Sequence, residues 1–127
     1  MLAKSVHHIS FAVSDLDRAR DFYEEILGLE VIPRPEIGLP GTWYRAGNAE
    51  VHLIQTPEGA DVGTRPARLS PLANHNAFSI DDYGRTLDFL KSKSVEVMET
   101  KPELGQMWIR DPDGNIIELI ARDAGPA

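Results

Sequence analysis

A chain of 127 residues with 42% apolar and 26% charged side chains is long enough to bury a core of its own and polar enough for a soluble surface. Its formal net charge of −7 leaves no basic field for nucleic-acid phosphates, although a small anionic substrate needs only a local pocket. The lack of cysteine excludes disulfides and thiolate chemistry, and without a leader-like start or a membrane-length apolar run the expected location is cytoplasmic, with no membrane partner.

Val6 to Val13 reads as a strand, with Ile9, Phe11 and Val13 on one face and His8, Ser10 and Ala12 on the other. Asp15 caps a helix in which Ala19, Phe22, Tyr23, Ile26 and Leu27 form an apolar stripe, and Gly28 closes it. A short strand, Leu29 to Ile32, stops at Pro33. The Pro- and Gly-rich stretch Pro33 to Gly41 is a loop. Trp43 to Ala46 and Glu50 to Gln55 are strands joined by a Gly47-Asn48 turn, and His52 shares a face with Glu50 and Ile54. Thr56 to Pro71 is rich in Pro and Gly and reads as a connection.

The plan then recurs. Asn74 to Ile80 is a strand, Asp82 to Ser92 a helix with Leu87 and Leu90 inward, Val95 to Met98 a short strand and Lys101 to Gly105 a loop. Met107 to Arg110 and Asn115 to Ala121 form a hairpin around Asp111-Pro-Asp-Gly114, where proline and glycine suit a tight turn. Arg122 to Ala127 reads as a frayed tail.

The second half is a copy of the first. His75, Phe78, Ile80 and Asp82 each stand 67 residues after His8, Phe11, Val13 and Asp15. Glu118 follows His52 by 66 residues, and Trp108 and Arg110 follow Trp43 and Arg45 by 65. The chain is therefore one domain, 1–127, built from a first module at about 5–56 and a second at about 72–122, joined by a linker at 57–71. Each module is strand, helix and three strands. Its helix covers one sheet face, and the other face must be buried against the second module or a partner chain.

On those uncovered faces the repeat places His8 and His75 at equivalent positions of the first strands, and His52 and Glu118 at equivalent positions of the last. One histidine on a strand is usually a satisfied polar or surface residue. Three histidines and one glutamate that all obey the repeat, beside small Ser10, Ala12, Ala77 and Ser79, point to a divalent-metal site with open positions for substrate or water. His7 has the opposite parity to His8 and reads as a non-ligand, with His7 in place of His8 as the alternative. Arg45 and Arg110 are candidate clamps for a substrate carboxylate or phosphate, or else surface ion pairs. Trp43 and Trp108 share their faces and would line the substrate cavity or pack as core.

These residues resemble the vicinal oxygen chelate superfamily, which groups glyoxalase I, bleomycin-resistance proteins, fosfomycin-resistance enzymes, methylmalonyl-CoA epimerase and extradiol dioxygenases. The resemblance is carried by His8-x-x-x-x-Val13-x-Asp15-Leu16, Phe22-Tyr23, Leu27-Gly28, His52-Leu53, His75-x-Ala77-Phe78-x-Ile80-Asp81, Asp111-Pro-Asp-Gly114 and Ile117-Glu118-Leu119. It implies an α+β fold of paired βαβββ modules forming a cup-shaped mixed sheet, a divalent metal ion (zinc, nickel, cobalt, manganese or iron) in the cup, and a homodimer. His8, His52, His75 and Glu118 fall at its four ligand positions, and Glu118 is also the candidate base. The histidine at 52 departs from the glutamate of glyoxalase I and the glutamine of the epimerase, which speaks against the glutathione-dependent reaction. The resemblance implies a lyase or isomerase of a small substrate that chelates the metal through vicinal oxygens and passes through an enediolate-type intermediate. Two rivals stay open: an Fe(II)-dependent extradiol-type dioxygenase using His8, His75 and Glu118, and a non-catalytic protein that binds a drug or metabolite. The site could form within one chain or across a dimer.

Overall fold

The computed structural model describes residues 2–122. The chain forms two compact units, Met1–Thr64 and Arg65–Ala127. The division falls within 57–71, a segment that holds neither strand nor helix.

The first unit runs β1 (His8–Val13), α1 (Leu16–Asp21) continuing into a π turn (Phe22–Ile26), β2 (Glu30–Ile32), β3 (Gly41–Ala46) and β4 (Ala49–Gln55). Its four strands lie in the order β1-β4-β3-β2, with β1 parallel to β4 and the other pairs antiparallel. The second unit repeats this as β5 (Asn76–Ser79), α2 (Tyr83–Ser92), β6 (Met98–Glu99), a 3₁₀ turn (Pro102–Leu104), β7 (Gln106–Arg110) and β8 (Ile116–Ile120), ordered β5-β8-β7-β6. Each unit is thus a βαβββ module with a mixed four-stranded sheet, the α+β plan foreseen. Some bounds are narrower than the sequence suggests. The first strands begin at His8 and Asn76, β6 is confined to Met98 and Glu99, and the loop after it tightens into a 3₁₀ turn closed by Gly105 at φ 67°. Of the expected tail, residues 123–127 lie outside the described residues. No helix among the described residues is long and apolar enough to cross a membrane.

The two helices start at the foreseen aspartates. Asp15 Oδ1 accepts from the Arg18 amide at 3.1 Å, and Asp82 Oδ1 accepts from the Arg85 amide at 2.8 Å, satisfying donors that a helix N-terminus leaves open. Asp15→Ala and Asp82→Ala should each lower unfolding free energy by about 1 kcal/mol, read as a shifted urea midpoint with unchanged slope. A midpoint that does not move in either variant would show that these caps carry no stability.

The first helix departs from the regular α-helix its apolar stripe suggests. After Asp21 it widens by a residue, and the Leu27 amide donates to the Phe22 carbonyl five residues back, at 3.1 Å. Within this turn Glu24 accepts from Tyr44 Oη at 2.8 Å and from Arg20 Nε at 2.6 Å. Arg20 is the principal cause that holds the Glu24 carboxyl below the usual range, while burial pushes the Tyr44 hydroxyl up. A helix this short is not stable alone. It is held because Ala19, Phe22 and Tyr23 are buried, with the Tyr23 ring 5.3 Å from Phe11 and 6.3 Å from Tyr44. Fully burying each large side chain contributes about 1.5–3 kcal/mol, which outweighs the helix's own propensity. Phe11, Val13, Tyr44, Val51 and Leu53 therefore face α1, which leaves His8, Ser10, Trp43 and His52 on the opposite face by strand alternation. In the second unit Leu90, Met107, Ile109, Ile117 and Leu119 are buried, while Trp108 packs on the other parity with Leu69, Ile116 and Ala73.

Candidate functional site

In the first unit the strand register builds a stack of rings. His52 on β4 lies directly across from Ser10 on β1 and from Trp43 on β3. Its imidazole is sandwiched, 4.1 Å from the His8 ring at 17° and 4.2 Å from the Trp43 ring system at 8°. Small, exposed Ser10 beside it leaves space above the sheet. The carboxylate of Glu50 accepts from His52 Nε2 at 2.9 Å and lies 3.5 Å from Arg45 Nη2. The His52 hydrogen bond is the main cause that pulls the Glu50 carboxyl below the usual range, with Arg45 adding to it. His8 and His7 share a hydrogen bond between their Nδ1 atoms at 2.9 Å. Burial first, then repulsion from His52 and His7, pushes the His8 imidazole below the ordinary histidine range, which favours the neutral form a metal ligand needs.

In the second unit Glu118 on β8 lies across from Ala77 on β5 and Trp108 on β7, the same register as Ser10, His52 and Trp43. Its side chain is only 7% exposed, as is that of His52. His75 Nδ1 meets the Ala73 carbonyl oxygen at 2.8 Å, and its Nε2 meets Glu118 Oε1 at 3.0 Å. A carbonyl only accepts, so Nδ1 carries the proton, and in the neutral ring the lone pair sits on Nε2, the atom turned to Glu118. The 3.0 Å between Nε2 and Oε1 is the separation of a hydrogen-bonded pair and also that of two neighbouring ligands on one metal ion. A backbone carbonyl fixing Nδ1–H is also how metal-binding histidines are commonly oriented.

The four predicted ligands thus form two pairs, His8 with His52 and His75 with Glu118. Among the described residues no group of three or more histidine or carboxylate side chains is gathered to hold a metal ion. The nitrogen and carboxylate donors suit a divalent ion of the first transition row, but the stacked His8 and His52 rings do not aim their in-plane lone pairs at one point, so a shared ion requires one of them to turn.

The remaining candidates separate. Trp43 is part of the histidine stack, whereas Trp108 is buried against Leu69 and Ile116, with Nε1 lacking a hydrogen-bond partner. Both arginines are in ion pairs: Arg45 with Glu50, and Arg110 with Glu96 at 2.9 Å, while Arg110 also donates to the Ala67 carbonyl. One neighbour escaped the sequence reading. Gln106 Nε2 donates to Glu118 Oε2 at 3.2 Å, so both carboxylate oxygens are held. It stands two residues before Trp108 and so shares the Glu118 face, a parity signal hidden because the strand was expected to begin at Met107.

Comparison with known proteins agrees with this plan. The model of the Glyoxalase/Bleomycin resistance protein/Dioxygenase superfamily matches residues 5–119, and the chain belongs to that superfamily. Glyoxylase I 4 of Arabidopsis thaliana is 28% identical, covering 96% of this chain and 73% of its own length. Metallothiol transferase FosB of Staphylococcus epidermidis is 30% identical over 91% of this chain and 80% of its own. A similar fold is found in a genomically encoded fosfomycin resistance protein from Listeria monocytogenes, crystallised with Mn(II) and 1S,2S-dihydroxypropylphosphonic acid. Its TM-score is 0.73 at 21% identity, covering 96% of this chain and 95% of that one.

Proposed function

We propose that the protein is a metal-dependent lyase or isomerase of a small substrate with two neighbouring oxygens, and that His8, His52, His75 and Glu118 together hold its divalent ion. The observation that supports this most is His75, with Nδ1–H fixed on the Ala73 carbonyl and Nε2 turned to the buried Glu118. A relative named as a glyoxylase supports the reading, and a relative named as a metallothiol transferase and a fold neighbour crystallised with Mn(II) and a vicinal diol support the use of a metal ion. Bound in this site, the ion supplies Lewis-acid stabilisation of negative charge on neighbouring substrate oxygens.

The chain's own residues have separate tasks. Trp43 and His8 clamp the His52 ring between them and fix its orientation. Glu50 and Arg45 hold its edge. Gln106 holds Glu118 Oε2, so Oε1 is the oxygen that exchanges partners and takes a proton from a carbon beside a substrate carbonyl. Small Ser10 beside His52 and small Ala77 beside Glu118 leave space over each of these side chains.

The test is hydrogen exchange. Protein loaded with about one Ni(II) or Co(II) per chain is expected to wash deuterium from D2O into the carbon beside the carbonyl of 2-hydroxyaldehydes and 2-oxoaldehyde adducts. Glu118→Gln should remove that wash-in. Failure of the wild type to hold any of these metals would overturn the proposal. Oxygen uptake with catechols on Fe(II) would replace it with a dioxygenase.

A further inference from the structure

The loop between β2 and β3 brings a cation onto the histidine face. In the β2–β3 ladder Glu30 pairs with Arg45 and Ile32 with Trp43. The ladder ends at Ile32, and its register continued by two residues would set Arg34 opposite Gly41. Arg34 therefore shares parity with Ile32 and Trp43, not with the core residues Thr42 and Tyr44. The geometry at Gly41 agrees. A Cβ built there would stand 2.9 Å from Arg34 Nη2 and 3.0 Å from its Nε, besides meeting the Leu53 carbonyl oxygen. The guanidinium thus lies against the one β3 position that has no side chain, two residues before Trp43.

The group is held but not neutralised. Arg34 Nη2 donates to the Leu39 carbonyl at 2.6 Å, which fixes the side chain within its loop. Its Nε is buried without a hydrogen-bond partner. Among the described residues no carboxylate lies within ion-pair distance of it, in a chain with 20 acidic residues and a net charge of −7. Arg45 and Arg110, the arginines that the repeat singles out, are both paired. A part-buried guanidinium without a counter-charge keeps its full positive charge, and its remaining Nη donors match a carboxylate or a phospho group.

We propose that Arg34 is the anion anchor of the substrate pocket. It takes a carboxylate or phospho group of a small substrate whose neighbouring oxygens lie at the His8–His52 end, two residues or about 7 Å further along β3. Its assignment to the substrate rests on the proposed function; its affinity for anions does not. A side chain at Gly41 would meet the Leu53 carbonyl oxygen first and the Arg34 guanidinium next, so glycine there serves both the β3–β4 ladder and the place of Arg34.

The two are separated by titrating chelator-treated, metal-free protein with inorganic phosphate and with succinate at fixed ionic strength. The signal is the Arg34 Nε–H resonance, assigned by its loss in Arg34→Lys, with affinities from calorimetry. The resonance is expected to shift to saturation, phosphate marking a phospho-group site and succinate a carboxylate site. Arg34→Met should weaken binding roughly ten-fold or more and Arg34→Lys less, both keeping the wild-type metal content. A resonance indifferent to both anions, or equal affinity in Arg34→Met, overturns the anchor. So does a lowered Tm with unchanged anion affinity, which would make Arg34 a brace for its loop. Anion binding in a wild type that never holds metal supports the anchor and overturns the proposed function.

Discussion

Glu118→Ala is expected to bind a divalent ion at least a hundred-fold more weakly than the wild type, measured by competition with a chromophoric chelator and by elemental analysis after dialysis. Glu118 is the single anionic donor in the proposed set, and it is buried, so its charge is poorly screened by water. Loss of residues that only orient ligands costs ten- to a hundred-fold in metal affinity, so loss of a charged ligand should cost more. Alanine would also leave Gln106 Nε2 without its acceptor. Glu118→Gln, which keeps an oxygen, separates that structural loss from the loss of charge. His75→Ala should behave like Glu118→Ala. His7→Ala should fall within ten-fold of the wild type, because the His7 side chain meets the site through His8, and its carbonyl contact to the Glu50 amide survives the substitution. Wild-type metal retention in both Glu118→Ala and His75→Ala would sink the four-ligand site. Metal lost in His7→Ala but kept in His8→Ala would move the first ligand to His7.

Much of this architecture can be read from the chain because the repeat and the strand alternation carry the same information. His8, Ser10 and Ala12 are separated from Phe11 and Val13 by parity alone, and the ladders then place Ser10 beside His52 and Ala77 beside Glu118. Asp15 and Asp82 mark the helix starts because a carboxylate there has a specific donor to meet. The π turn at Phe22–Ile26 leaves no such mark: its apolar residues satisfy an α-helical spacing equally well, and it follows from packing on Phe11 and Tyr44. The same limit separates Phe22, 8% exposed, from its repeat partner Phe89, 40% exposed beneath the Lys93 ammonium. Sequence identity across a repeat does not fix burial. Arg34 was hidden for another reason. It lies beyond Pro33, in a stretch whose composition reads as loop, and only the continued register across to Gly41 shows which face it joins. Arg45 and Arg110 drew attention because they repeat, and of their two readings the structure shows the ion pair: Glu50 is the cross-strand partner of Arg45 in the β3–β4 hairpin, and Glu96 meets Arg110.

The hairpin that carries Glu118 depends on a buried carboxylate with no catalytic task, and Asp111→Ala is expected to cost on the order of 3 kcal/mol of unfolding free energy. Asp111 is 4% exposed. Its Oδ1 accepts from the backbone amides of Asp113 at 2.9 Å and Asn115 at 2.8 Å, and its Oδ2 accepts from Asn115 Nδ2 at 2.7 Å. The Gly114 amide closes the turn on the Asp111 carbonyl at 3.0 Å, and Gly114 takes the left-handed φ of 89° that favours glycine. Alanine at 111 removes the acceptor of three donors at once, and a donor left buried without a partner costs about 1–3 kcal/mol. Partial access of water to the turn keeps the total near the lower end of that sum. Asp111→Asn should cost about half as much, since one oxygen still serves the two amides. Its new amide then opposes Asn115 Nδ2, and Asn115 cannot simply flip, because its Oδ1 accepts from Arg65 Nε at 2.9 Å. The measurement is urea unfolding of chelator-treated protein, so that metal binding to the folded state does not mask the loss. A change below about 1 kcal/mol in Asp111→Ala would mean that water replaces the carboxylate. Glu118 would then be held by the β7–β8 ladder rather than by the turn before it.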